Sequence, residues 1–501
     1  MRGCHRTFDM VARVRAEREA RGGKYAQPRN HWRQGVTRKG DRPLDHDLAR
    51  PRPSITRVNH LLREVLPALD LDEDFAADRL AVAGGNGLPS RLPVNTLACG
   101  AVAAAGLAGL AAAGGDRVLV DPLAVSVAFR SDTSLSVDGR SRESFAPLSG
   151  FFRAADGWVR THANYPHHRE RLLRALQLPA DATREGLGAA VGERSAQDVE
   201  DRVTRGGGVA VRVRDHREWF AGQQSQAVQA HPVLSVDSVA PAATVPLSRR
   251  PRVLDLTRVI AGPVATRTLA FLGCEVLRVD SPTLPELEPQ HIDTGSGKRS
   301  TLLDLHRAQD RDRLHGLVER ADVLVTGYRP GALAAFGLGS EVLAARHPSL
   351  VVASLSAWTP DGPWGARRGF DSIVQAATGI ALIESGDGER PGVLPAQALD
   401  HATGYLLAAG VMAALRRRAE VGGTWRVQAH LARTAHWLLR TDALDAPAHP
   451  VNDPSPWLTT ADTDCGRVVQ ARPAFRIGDG PVQFAWPARR WGSDRPEWAQ
   501  A

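Results

Sequence analysis

From Arg252 to Ser354, short apolar runs alternate with helix-length segments, and few folds admit that alternation. Arg252-Val253-Leu254-Asp255-Leu256 reads as a short buried strand. Gly262-Pro263 follows, and Pro263 suits the first turn of a helix, where a missing N–H leaves no bond unmade. That helix should run to about Leu272, with Gly273 free to adopt the conformation that ends it. Val276-Leu277-Arg278-Val279 is the next strand, closed by Asp280. A helix near Asp310–Glu319, the strand Val323-Leu324-Val325, a helix after Pro330 and the strand Leu350–Ser354 continue the pattern. Strands separated by helices return to the same end of a sheet and run parallel. The expected class is α/β: a Rossmann-like parallel sheet with helices on both faces, plus a smaller α/β domain.

The rest of the chain divides by composition. Residues 1–57 hold fifteen Lys or Arg against six Asp or Glu, an excess of nine positive charges, while the whole chain carries +8. The body is therefore close to neutral and offers no basic face to nucleic acid. A basic, disordered tail is expected over 1–57, with no nucleic-acid partner. Residues 58–150 open with helix-spaced Val58, Leu61, Leu62, Val65, Leu66 and Leu69 and contain a strand at Arg117–Val120. Residues 151–235 read as a small α/β domain, with a strand from Gly157 and a helix around His168–Leu176. An Ala/Pro/Ser/Val-rich linker is expected over 236–250. Residues 251–445 form the Rossmann-like domain and 446–501 a C-terminal closing segment.

Cys4, Cys99, Cys274 and Cys465 are far apart and form no CxxC pair. That fits a reducing cytoplasm and provides neither a disulfide framework nor a zinc site. No apolar stretch follows the first basic residues, so a secretory leader is not expected. The run from Leu97 to Gly115 is rich in Ala and Gly, as a buried helix is, and no membrane partner is expected.

An internal echo links the halves. Leu92-Pro93-Val94-Asn95-Thr96-Leu97-Ala98 matches Leu394-Pro395-Ala396-Gln397-Ala398-Leu399-Asp400, and each leads into an Ala-rich helix. Residues 58–150 are read as a degenerate half-copy, with Ala98 where the second copy holds Asp400. Only the second copy could then use a carboxylate there.

Four places could carry chemistry. The turn from Thr257 to Pro263, with Asp280 ending the second strand, suits a nucleotide at a helix N-terminus, although the GxGxxG fingerprint is absent. Lys298-Arg299 suits a phosphate, against the plainer reading of a charged turn. Asp400-His401 opens a helix; an Asp there is commonly an N-cap, held ionised by the positive helix end. An ionised, positioned carboxylate is also what a nucleophile requires. His162, His167 and His168 match no standard ligand spacing, so a loop lining a cleft is expected rather than a metal site.

Together these residues resemble the family III CoA-transferases, the CaiB/BaiF type. The resemblance begins with Arg252 to Pro263 and continues through Leu269-Ala270, Leu272-Gly273 and Asp280. Gly297-Lys298-Arg299-Ser300, Asp304-Leu305, Ala321-Asp322-Val323, Arg329-Pro330-Gly331-Ala332 and Gly337-Leu338-Gly339 follow in order. Gly362-Pro363-Trp364, Gly369-Phe370-Asp371 and Asp400 with Gly404 complete it. The resemblance implies that 251–445 binds CoA, with Arg258, Ile260 and Ala261 lining it and Lys298 meeting its phosphates. Asp280 and Arg299 join this set from the nucleotide and phosphate readings above. Asp400 aligns with the nucleophile of the transferases. Related racemases carry a histidine where Phe370 stands. The smaller domain precedes the Rossmann-like unit, so the family's order is rearranged into two halves, and the glycine-rich lid of some members has no counterpart.

The implied activity is transfer of CoA between carboxylic acids through an aspartyl-CoA intermediate. The expected partners are an acyl-CoA and an acceptor acid, with no cofactor or metal beyond CoA. An acyl-CoA racemase and an inactive CoA-binding protein are the alternatives. Two oligomeric forms stay open: a homodimer, or a monomer whose halves imitate one.

Overall fold

A computed structural model describes residues 59–141 and 145–499; the expected tail lies outside the described residues. In the first half, Asn59 caps a short helix, His60–Val65, by accepting the Leu62 N–H at 2.9 Å. The Ala/Gly-rich run becomes helix α1, Val94–Ala113, buried on almost every side. Small side chains let its neighbours approach all round, as expected of an interior helix. The strand expected near Arg117–Val120 forms over Val118–Val120, pairing parallel with Leu80–Val82 and antiparallel with Phe475–Ile477. Part of the C-terminal segment is thus built into the first half. In the smaller α/β unit, the antiparallel strands Gly150–Arg153, Trp158–Thr161 and Ala210–Arg212 share a core with helices Pro166–Ala175, Arg184–Gly192 and Ala196–Arg205.

The main sheet has seven strands: β1 Ser235–Ala240, β2 Arg252–Leu256, β3 Glu275–Asp280, β4 Lys298–Leu302, β5 Val323–Thr326, β6 Val351–Ser356 and β7 Thr424–His430. Their order is β4-β3-β2-β5-β6-β7-β1. All pair in parallel except β1, which lies antiparallel against β7 at one edge. The expected linker over 236–250 therefore begins as sheet. An edge strand buries little, and in β1 only Val236 is fully buried, so composition concealed it. Strand β4 was not among those expected, whereas β7 is the short strand expected after the Asp400 helix and its charged turn. β4 carries Lys298 and Arg299, a polar signature that the C-terminal segment makes tolerable by covering that edge.

After β2 the chain winds first toward β4 and then back toward β7, so the C-terminal ends of β2 and β5 flank a crevice, the usual ligand position in such sheets. Helix α2, Ala261–Phe271, leaves that crevice; α3, Asp371–Thr378, and α4, Ala398–Val421, approach it. Helices α1 and α4 are long and apolar enough to cross a membrane, yet they pack against each other in the interior.

The halves echo each other in backbone geometry. The residues before α1 and α4, Pro93 and Gln397, have φ/ψ of −76°/61° and −74°/62°. Neither helix is capped by its own side chain. In each a distant aspartate accepts two N–H groups: Asp445 those of Asn95 and Thr96, Asp371 those of Leu399 and Asp400. The helix starts therefore place Thr96, not Ala98, opposite Asp400. The sequence echo was two residues out of register because the approach to each helix differs in length. Neither Thr96 nor Ala98 carries a carboxylate.

Candidate active site

Asp400 is the third residue of α4, not its N-cap. The cap is supplied by Asp371 at the start of α3, whose Oδ2 accepts the Leu399 N–H at 2.9 Å and the Asp400 N–H at 3.0 Å. Gln375, one turn along α3, donates to the other Asp371 oxygen and accepts the Leu394 N–H at 2.9 Å, fixing the approach to α4. The positive helix end is therefore spent on Asp371. Burial raises the Asp400 carboxyl well above the usual carboxylate range, and the Asp371 charge acts in the same direction. The expectation that the helix end keeps Asp400 ionised is corrected. One turn further, Gly404 meets α2: a Cβ there would stand 2.4 Å from the Ala261 carbonyl oxygen. Only glycine lets α4 bring Asp400 so close to the start of α2.

The turn after β2 is strained and heavily tied. Val259 has φ 72°, a left-handed conformation that a β-branched residue rarely adopts. Its N–H donates to Glu286 Oε2 at 3.1 Å. Glu286 also receives Tyr165 Oη–H, and Arg278 Nη2 at 2.9 Å, with Arg258 Nη2 at 3.6 Å. Against the effect of burial, Arg278 and Arg258 pull the Glu286 carboxyl down to about 2, so it stays ionised and anchors the turn. At Gly262 a Cβ would fall 2.3 Å from Thr257 Cβ, so this tight turn also needs glycine.

Asp400, Val259 and Phe370 lie in the walls of two cavities at once. The larger, of about 1270 Å³ with its mouth, is basic: Arg258, Arg329, Arg367 and Arg368 line it with Tyr328 and Trp358. Burial and the like charges of Arg329 and Arg171 lower the pKa of Arg368, the condition of a cation that would gain from an anion. The smaller, of about 950 Å³, has no Lys or Arg among its described lining residues. His162, His401, Gln290 and Gln397 are in its wall, and the first half contributes Asp132 and Leu135. Phe129, also from the first half, stacks on His401 at 5.1 Å. Burial lowers both His162 and His401 to about 3, so both rings are neutral. His162 lies flat on Phe370, centroids 3.7 Å apart. The three-histidine loop thus lines the clefts, with His167 and His168 on the basic side. Among the described residues no cluster of His, Cys, Asp or Glu is placed to hold a metal ion.

Of the residues singled out in the sequence, the fold brings Arg258, Ile260, Ala261 and Asp400 to these cavities. It does not bring Asp280, Lys298 or Arg299. Lys298 is buried, its Nζ bonded to Asp255 Oδ2 at 3.2 Å, Thr266 Oγ1 at 2.8 Å and the Pro263 carbonyl at 3.1 Å. It supports the start of α2 from below and cannot reach a phosphate. Asp280 pairs with Arg278 at 2.7 Å and accepts Trp491 Nε1–H at 2.9 Å. Arg299 donates to the Glu497 carbonyl at 2.7 Å. Both anchor the C-terminal segment along the β3–β4 edge. Sequence reasoning missed Asp371, Glu286 and the Arg367-Arg368 pair. Asp371 stood beside Phe370 in a quoted motif, two adjacent arginines before Gly369 were the available signal for that pair, and no local pattern marked Glu286.

Residues 251–490 match CoA-transferase family III. The chain is 31% identical over 259 residues to a probable fatty acyl-CoA transferase of Mycobacterium tuberculosis, covering 48% of this chain and 66% of that one. It is 33% identical over 186 residues to the succinyl-CoA:glutarate CoA-transferase of Homo sapiens, covering 34% of this chain and 42% of that one. A crystal structure of a hypothetical protein from Mycobacterium tuberculosis superposes on 39% of this chain and 57% of that one, with 34% identity and a TM-score of 0.36. The chain spans between 46% and 66% of the length of the first four curated relatives it matches.

Proposed function

Because its residues 251–490 make this chain a member of the family III CoA-transferases, we propose that it moves CoA from one carboxylic acid to another, with Asp400 as the covalent carrier. The observation that carries the proposal is the position of Asp400: a buried carboxyl at the junction of an arginine-lined cleft and a second cavity with no Lys or Arg among its described lining residues. The first suits the phosphates of CoA, the second the acyl group.

The Asp400 oxygen attacks the thioester carbonyl, the C–S bond breaks, and CoA leaves as thiolate from an acyl-aspartyl anhydride. The thiolate attacks the Asp400 carbonyl of that anhydride, releasing the first acid and leaving an aspartyl-CoA thioester. The acceptor carboxylate attacks this thioester, displacing the thiolate and forming a second anhydride. The thiolate then attacks the acceptor's carbonyl and restores the Asp400 carboxylate. Activated acyl groups of similar energy are exchanged, so the sequence needs no ATP. Asp400 must lose its proton first; once ionised in a dry site it is a poorly solvated nucleophile. Asp371 and the Gly404 contact position it. Phe370 leaves no histidine at the place where the racemases carry one, which favours transfer over racemisation. The cytoplasm, as supply of both acyl-CoA and acids, fits Cys99, Cys274 and Cys465, which are unpaired among the described residues.

The test is direct. The protein is incubated with acyl-CoAs, and intact and peptide mass spectra are taken with and without hydroxylamine. A hydroxylamine-sensitive, CoA-sized adduct on the peptide holding Asp400 is expected. No adduct with any acyl-CoA, together with unchanged activity in Asp400→Ala, ends this reading.

A further inference from the structure

The Glu286 carboxylate is buried and lies in the wall of neither cavity, yet most of its bonds end on residues that do. It accepts the Val259 N–H at 3.1 Å and the Leu287 N–H at 3.0 Å, both from the wall of the smaller cavity. It also accepts Tyr165 Oη–H from the wall of the basic cleft. Arg278 Nη2, buried behind it, donates at 2.9 Å. One side chain thus joins the turn after β2, the approach to Gln290 and the loop that holds Tyr165.

Val259 is where these bonds bear on Asp400. Its φ of 72° is a conformation that a β-branched residue leaves readily unless held. Two residues on, the Ala261 carbonyl oxygen faces Gly404, where a Cβ would stand only 2.4 Å away. Gly404 lies one turn along α4 from Asp400. The backbone at Val259 therefore sets where α2 begins, and the start of α2 sets how α4 presents Asp400.

We propose, on the premise that Asp400 carries CoA, that Glu286 is a positioning residue for the reaction and acts on Asp400 through the backbone of Val259. A carboxylate acceptor makes a stronger bond to an N–H than a neutral one does, which suits a backbone that must be held against its preference. A purely structural partner for Arg278 would act differently. Asp280 also pairs with that guanidinium, at 2.7 Å, and turnover per folded molecule would then not depend on Glu286.

The test is a double-mutant cycle in the full chain. Glu286→Ala removes the acceptor, and Val259→Gly lets the backbone keep a positive φ without it. CoA transfer from an acyl-CoA to an acceptor acid is measured for the parent, both single variants and the double variant, at a temperature where circular dichroism shows all four folded. Glu286→Ala should lower kcat about thirtyfold and change KM for acyl-CoA by less than about threefold. In the Val259→Gly background the same substitution should lower kcat by less than about threefold. Equal losses in the two backgrounds overturn the route through Val259, and an unchanged kcat in Glu286→Ala overturns the positioning role. If Glu286→Ala does not fold, Glu286→Leu takes its place, since it fills more of the volume and still lacks an acceptor. Crystal structures of the parent and the Glu286 variant give a readout independent of turnover: Val259 should leave its positive φ and the Asp400 carboxyl should shift. A parent chain that transfers CoA to no acid defeats the transferase reading alone. The structures then decide: Val259 and Asp400 unmoved in the variant overturn the positioning role, and both displaced support it.

Discussion

The Asp371 carboxylate accepts the backbone N–H of Asp400 at 3.0 Å. One acid therefore occupies the helix terminus that would otherwise have stabilised the other. Asp371→Asn keeps an oxygen for the two N–H groups and removes the charge. Asp400 should then ionise at lower pH, and the acidic limb of the kcat/KM profile should move to lower pH. A limb that stays in place, or moves upward, would show that the Asp371 charge does not govern Asp400.

Stability should carry the same signature. An unfolded aspartate titrates near about 3.9. In the fold burial raises Asp371 to about 6, and Asp400 is raised too. Protonation of the raised pair stabilises the fold fully below about pH 4, and that contribution is lost as pH rises through the folded values. Asp400→Asn mimics the protonated form at every pH. Its unfolding midpoint should equal that of the unmodified chain near pH 4 and exceed it increasingly toward neutrality. Midpoints compared between pH 4 and 8 check this; a gap that closes as pH rises contradicts it.

Lys298 tests the buried support under α2. Lys298→Met leaves Asp255 buried without its cation, which should lower the unfolding free energy by about 3 kcal/mol. Because Nζ is bonded to Asp255, Thr266 and Pro263, KM for acyl-CoA should be unchanged at a temperature where the variant is folded. Urea denaturation and steady-state kinetics separate the two effects. A raised KM with unaltered stability would return Lys298 to the phosphate-binding role.

Arg368 tests the basic cleft. Arg368→Ala should raise KM for acyl-CoA about tenfold, equivalent to ~1.4 kcal/mol, with little change in kcat. Added salt should weaken acyl-CoA binding to the unmodified chain more than to the variant. Equal KM values and equal salt dependence would place the phosphates elsewhere.

Gly404 tests the approach of α4 to α2. In an isolated helix, alanine is better than glycine by about 1 kcal/mol. Here its Cβ would stand 2.4 Å from the Ala261 carbonyl oxygen. Gly404→Ala should displace Asp400 and lower kcat by roughly a hundredfold, with the circular dichroism unchanged. A variant as active as the parent would mean that the contact does not position Asp400.

Asp400 shows how far the sequence reached. The echo, the strand–turn–helix after β2 and the order of short motifs pointed to it, to Arg258, Ile260 and Ala261, and to the parallel sheet. The sheet follows from local signals, apolar period and turn glycines, whereas Arg258, Ile260, Ala261 and the role of Asp400 are what the family resemblance implies. The same local view misjudged Lys298, since a lone lysine beside an arginine looks alike whether it faces a phosphate or a buried aspartate forty-three residues away. It also misjudged β1 and β4, whose strand character comes from pairing and cover rather than from their own composition.

The sequence alone therefore determined the class of fold, because periodicity and turn chemistry are written in consecutive residues, and its ordered motifs carried the family resemblance that singled out Asp400. The tertiary structure decided how that acid is poised. Asp371 takes the helix N–H groups, Glu286 anchors the strained Val259 turn, and the first half supplies part of the wall of the smaller cavity. Each depends on contacts between distant segments, where burial and charge act on groups that no local pattern brings together.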